Sequence, residues 1–119
     1  QSNLRTYVKY RGKKGVHFFN IFANHLTTVA TGNLVFGLPY EHAKIKRSFD
    51  FGIRDFIVDA AGSQIYKARA ITNQKIQKIP KDSLEYFLTE HTLYFQVKRN
   101  KTKTCIHSGE LWHKPWQLS

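Results

Sequence analysis

Methionine is absent from this chain of 119 residues, cysteine occurs once, and acidic residues number only eight. Each shortage excludes something. A chain that begins at Gln1 and holds no methionine is expected to have lost a piece, either one methionine or a longer upstream segment. The lone Cys105 cannot form an internal disulfide or a multi-cysteine metal site, and it reads as an ordinary strand residue. No apolar run reaches the roughly 18 residues of a membrane-spanning helix. The first residues also lack the charged, apolar and small-residue zones of a signal peptide. The expectation is a cytoplasmic protein with no membrane partner.

What is present is ample for one folded domain, with 41% hydrophobic and 14% aromatic residues. Nineteen Lys and Arg give a net charge of +11, which points toward nucleic acid as a partner. The distribution weakens that reading. The basic residues are scattered at Lys13-Lys14, Lys44 to Arg47, Lys75 to Lys81 and Lys98 to Lys103, mostly in turns or alternating along strands. No basic helix, zinc-finger spacing, RNA-recognition signature or glycine clamp accompanies them.

Period-two alternation is the dominant pattern. Leu4 to Tyr10 reads as a strand with one buried face, Gly12 to Gly15 as a turn, and Val16 to Phe22 as its antiparallel return. Leu26, Val29, Ala30, Asn33 and Leu34 then recur at helical spacing, with Asn24 expected as the cap and Gly37 and Pro39 as the stop. Further strands are predicted over Ala43 to Asp50, Gly52 to Asp59 and Gln64 to Ala70, with Ala61-Gly62-Ser63 turning between the last two. Asp82 with Glu85 is the expected capping box of a short helix whose apolar face is Tyr86, Phe87 and Leu88. A last hairpin, Thr92 to Lys98 and Lys103 to Glu110, turns at Arg99-Asn100-Lys101. The predicted class is mainly β (α+β), antiparallel, with two short helices in a single domain spanning 1–119.

Common catalytic constellations are missing: no Walker-type loop, no Gly-x-Ser-x-Gly elbow, no His-Glu-x-x-His helix. None of the six histidines forms a tight pair at metal-ligand spacing, and His107, His113 and Glu110 converge only if the tail folds back. Asp50, Asp55 and Asp59 stand near turns, where Asp commonly serves the backbone. No metal and no cofactor are called for, and no catalytic residue is assigned. The tail carries Trp112 and Trp116 around Pro115, either a flap over the end of a barrel or a pair of rings for stacking bases.

Five segments in order carry a resemblance. Asn3 to Val8, Gly15 to Asn20, Phe36-Gly37-Leu38-Pro39-Tyr40, Ser83 to Glu90 followed by Leu93-Tyr94, and His113 to Leu118 resemble successive motifs of the YqjF-like uncharacterised bacterial family. Members of that family are longer, and the resemblance implies that this chain corresponds to their C-terminal half. It also implies a fold similar to acetoacetate decarboxylase, a cone-like β-barrel, present here in part or whole. That enzyme has a Gly-aromatic-Pro-Lys-Lys motif at the place where Pro39 is followed by Tyr40 and Glu41. A Schiff-base lysine needs an amine activated by burial and a neighbouring cation, and Tyr40 cannot form an imine. Lys44, four residues on, is the nearest amine in sequence.

The resemblance therefore implies non-covalent binding of a small anionic or carbonyl-bearing ligand without Schiff-base decarboxylation. Arg5 is the candidate anion contact, Tyr7 and Tyr40 the polar walls, and Phe18 and Phe36 the apolar lining. The alternative is a nucleic-acid-binding module using the basic surface and the two tryptophans; a third reading is an enzyme of unrecognised mechanism. Half a barrel would leave open strand edges, so a homo-oligomer is a further expectation.

Overall fold

The computed structural model describes residues 1–72, 75, 77–99, 102–111 and 117–118. In chain order the elements are β1 (Ser2–Tyr10), β2 (Lys13–Ala23), α1 (Leu26–Leu34), β3 (Tyr40–His42), β4 (Lys44–Asp50), β5 (Ile53–Ala60), β6 (Ser63–Ile71), β7 (Gln77–Lys78), α2 (Leu84–Thr89), β8 (Leu93–Arg99), β9 (Thr104–Glu110) and β10 (Gln117–Leu118). The protein is mostly β with two helices. It forms two compact units, Gln1–Ala43 with Thr92–Trp112, and Lys44–His91 with His113–Ser119.

The first unit is built on the β1–β2 hairpin. Its turn is Arg11-Gly12, with φ of 48° and 79°, the double left-handed geometry that matches the twist of paired strands. The turn expected over Gly12 to Gly15 is thus two residues, and Lys13, Lys14 and Gly15 already pair with Tyr10, Lys9 and Val8. Gly15 has a different reason to be glycine: a Cβ there would lie 2.8 Å from the Leu93 carbonyl and the Phe95 ring.

The sheet order is β1-β2-β8-β9, with β3 also on β2. Mainly antiparallel pairing is the expectation, and most ladders follow it, but two pairings make this sheet mixed. Strand β3 runs parallel to β2, because α1 carries the chain back as a crossover, and β8 meets β2 in parallel at Val16 and Tyr94. The core is Val16, Phe18, Ile21, Leu38 and Tyr94, with Tyr7 and Tyr40 packed against it.

Helix α1 forms where its periodicity predicts, but its N-cap is His25 in extended geometry, not Asn24, and no side chain caps it. The first helical bond runs from the Val29 amide to the His25 carbonyl at 3.1 Å, which places the start one residue later. Leu26 and Leu34 are exposed, and the helix's buried residue is Gly32.

In the second unit β4, β5 and β6 form an antiparallel meander, turning at Phe51-Gly52 and Ala61-Gly62 with the same double positive φ. Helix α2 is capped by Ser83, whose Oγ accepts the Tyr86 amide at 3.1 Å, rather than by Asp82. Its expected apolar face is in large part open, with Phe87 and Leu88 both exposed. Strands β7 and β10 pair antiparallel over two residues each. Among the described residues none of the three sheets closes on itself. In the first unit, β8 and β9 pair as predicted; Asn100 and Lys101 of their turn lie outside the described residues.

Candidate functional site

The segment Gly37 to Tyr40 is fixed from three sides. Gly37 ends the helical course at φ 61°, the Pro39 carbonyl accepts the Ile21 amide at 2.9 Å, and the Leu38 amide donates to the Gly32 carbonyl at 3.0 Å. Asn33 then clamps Tyr40: its Oδ1 accepts the Tyr40 amide at 2.8 Å, and its Nδ2 donates to the Tyr40 carbonyl at 3.0 Å. One amide side chain thereby satisfies both backbone groups of the first residue of β3.

The Tyr40 ring lies against α1 at Gly32, where a Cβ would collide with it. Around this contact is a cavity of about 290 Å³ lined by Thr27, Thr28, Thr31, Gly32, Phe36 and Tyr40. Three threonines, one tyrosine and one phenylalanine line it, and among the described residues no charged one does. Burial pushes the Tyr40 phenol above its usual titration range; a side-chain hydrogen bond with Gln1 opposes this and the neighbouring Tyr94 adds to it. At neutral pH Tyr40 is therefore a hydroxyl donor.

The five residues singled out from the sequence divide into overlapping groups. Phe36 and Tyr40 share the cavity. Tyr7, Phe18 and Tyr40 meet around the core cluster, where Phe18 is fully enclosed at 3% exposure and its ring centroid is 6.3 Å from that of Tyr94. Arg5 pairs across the hairpin with Phe18, as Tyr7 does with Val16, so both lie on the core-facing side, and the Arg5 guanidinium stands 5.9 Å from the Tyr7 ring centre. Arg5, Tyr7 and Phe18 are not lining residues of the cavity.

Other functional candidates are placed as follows. Glu41 accepts a hydrogen bond from Asn20 Nδ2 at 2.7 Å. Lys44 opens β4 opposite Asp59 and is exposed. The amine closest to the Gly37 turn comes instead from β8: Lys98 Nζ lies 3.7 Å from where a Gly37 Cβ would stand. Asp55 is held in a two-point pair with Arg69 at 2.6 and 2.9 Å, and Asp59 pairs with Lys46 at 3.7 Å. In the second unit a cavity of about 300 Å³ is lined by Lys81, Asp82, Ser83, Tyr86, Phe87, Glu90 and His91, with Ser83 committed to capping α2. Among the described residues no three metal-ligating side chains converge, and no helix is long and apolar enough to cross a membrane. Trp112, His113 and Trp116 lie outside the described residues.

Sequence reasoning did not assign Thr27, Thr28, Thr31, Gly32 or Asn33 to the site. Gly32 carried a signal, since an isolated glycine inside a helical pattern usually has a packing reason. The threonines carried none, because three threonines on a helix surface look the same in sequence whether or not a cavity lies beside them.

This arrangement is an acetoacetate decarboxylase-like fold. The crystal structure of acetoacetate decarboxylase from Legionella pneumophila superposes with a TM-score of 0.70 at 16% identity, over 91% of this chain and 44% of that one. The chain belongs to the DUF2071 family of uncharacterized conserved proteins, whose model matches residues 1–119. It is 33% identical to the uncharacterized protein YqjF of Bacillus subtilis (strain 168) over 124 residues, 98% of this chain and 47% of that protein. The chain thus spans about half the length of the relative it matches.

Proposed function

We propose that the Tyr40 cavity binds a small carbonyl-bearing ligand without covalent chemistry. The observation that carries this reading is the lining itself: Tyr40, whose phenol stays neutral, with three threonines and Phe36 around about 290 Å³. Few convergent polar groups on a partly apolar wall are what a small ligand site requires, and this volume suits a small molecule only. With no charged residue in the lining, a ketone or aldehyde oxygen is favoured over a carboxylate. An anionic ligand remains the second reading, for which Arg5 and Lys98 are the nearby cations on the core-facing strand and at the Gly37 turn.

Schiff-base decarboxylation is not part of the proposal. Tyr40 and Glu41 follow Pro39 where the resembled enzyme's motif has two lysines, and Glu41 is engaged with Asn20. The open sheets are proposed to be part of a barrel whose other strands lie in the portion of the family domain that this chain does not span, a reading supported by the 44% and 47% coverage of the two relatives. Exposed Leu34, Phe51 and Ile71 are consistent with surface that further chain, or a second copy, would cover.

The test is ligand-observed NMR of the chain with short ketones and with carboxylates of matched size. Saturation transfer to the ketones that falls away in Tyr40→Phe supports the proposal. Transfer to the carboxylates alone, abolished in Arg5→Gln, moves the reading to the anionic ligand.

A further inference from the structure

A neutral cavity leaves the net charge of +11 without a role, and the β4–β5–β6 meander shows how part of that charge is arranged. Residues paired across an antiparallel ladder share a face. Arg47 pairs with Phe56 and Phe56 with Ala68; Phe49 pairs with Arg54 and Arg54 with Ala70; Val58 pairs with Tyr66. One face therefore carries one aromatic ring per strand, Phe49, Phe56 and Tyr66, each offset by two residues from the next. The rings form a diagonal across the sheet, with the Phe56 and Tyr66 centroids 6.2 Å apart.

The two arginines are interleaved with this diagonal. Arg54 stands 5.3 Å from the Phe49 ring centre and Arg47 6.0 Å from that of Phe56. Both arginines are exposed, and Phe49 and Tyr66 are 59% and 51% exposed, while Phe56 is half-buried and Ile45 and Val58, at one end of the same face, are buried. Ala68 and Ala70 on the β6 side are too small to cover the rings. Alternation sends all three carboxylates of the meander, Asp50, Asp55 and Asp59, to the opposite face, where Arg69 and Lys46 pair with two of them. Of the meander's own residues the aromatic face carries two cations and no anion.

We propose that this face binds single-stranded nucleic acid. Unstacked bases have two open π surfaces that aromatic rings and guanidinium planes both stack on, while phosphates meet the uncompensated arginines. A duplex offers the charge but not the base faces. A purely apolar partner would leave two arginines buried without counter-charge. The proposal is independent of the Tyr40 cavity and of the tail tryptophans.

Fluorescence anisotropy of the full chain with a short labelled oligothymidylate tests it. Phe49→Ala and Tyr66→Ala should each weaken binding about fivefold or more, the effect of losing one stacked base, whereas Phe49→Tyr should keep it. The double variant Arg47→Gln, Arg54→Gln should flatten the dependence of log affinity on log salt by about 1.4, two phosphate contacts' worth for a single strand. Lys44→Gln and Lys67→Gln, on the opposite face, should leave the stacking variants' effect unchanged. Circular dichroism and the retained binding of Phe49→Tyr separate loss of contact from loss of fold. The proposal is overturned by absent binding at physiological salt, equal affinity for a matched duplex, or loss only in Trp112→Ala or Trp116→Ala. A dimer in light scattering that Phe49→Asp dissociates also overturns it, because a second copy then occupies the face.

Discussion

The ring of Tyr40 rests on helix α1 at Gly32, the one residue of that helix that is buried and the one with no side chain to hold the ring away. Helix propensity and packing thus act in opposite directions at this position. Glycine costs a helix interior about 1 kcal/mol relative to alanine, so propensity alone makes Gly32→Ala stabilising. The added Cβ must displace a half-buried ring, which costs about 1–3 kcal/mol. The expected outcome is net destabilisation in urea titration, together with loss of the cavity.

Asn33 is the second support of the same residue. Replacing it with alanine removes both hydrogen bonds to the Tyr40 backbone, at about 0.5–1.5 kcal/mol each, reduced because the site is exposed. Asn33→Asp keeps the acceptor for the Tyr40 amide and sets a carboxylate against the Tyr40 carbonyl, so it should not rescue. Amide exchange at Tyr40 reports both changes.

The Tyr40 phenol titrates above the usual value of 10.0 because burial disfavours the phenolate. A folded-state value raised above the unfolded one contributes stability that is full below about pH 10 and is lost as pH rises through the folded value. Ultraviolet titration should show a late-ionising component in the folded chain that Tyr40→Phe removes.

Asp55 behaves in the opposite sense. The Arg69 guanidinium hydrogen-bonded to it holds its carboxyl below the ordinary range near 3.8. A depressed value contributes stability present above the unfolded value and lost as pH falls through the folded one. Arg69 is exposed and Asp55 half-buried at the sheet surface, so the effect is small and salt-sensitive. Carboxyl-carbon NMR should show Asp55 returning to its ordinary range in Arg69→Gln.

Phe51 is the first residue of a two-residue turn with φ of 41° and is 96% exposed. A bulky side chain is strained in that left-handed region, and asparagine before glycine is the preferred pair there. Phe51→Asn should raise the urea midpoint and reduce self-association in light scattering.

Reduction with borohydride in the presence of a β-keto acid should leave every lysine unmodified, Lys98 and Lys44 included. An adduct mapped to either amine by mass spectrometry would restore covalent chemistry to this fold.

The strand pattern was legible because alternation has a period of two and each hairpin is local. Seven strands stand within two or three residues of where the sequence puts them, from Ser2–Tyr10 to Thr104–Glu110. Tertiary structure decided what local pattern does not encode. The three-residue β3 exists only because β2 offers it an edge, and Asn33 closes its first backbone groups. The parallel contact of β2 with β8 joins residues nearly eighty positions apart, a pairing no local period announces. Which of five candidate residues met was likewise settled by register and by the Gly32 contact. The sequence determined the family, the strands and the absence of the lysine pair after Pro39. The tertiary structure laid the Tyr40 ring on Gly32 beside a cavity that three threonines line and sorted the carboxylates of the β4–β6 meander to one face, because both depend on which side chains face each other after folding.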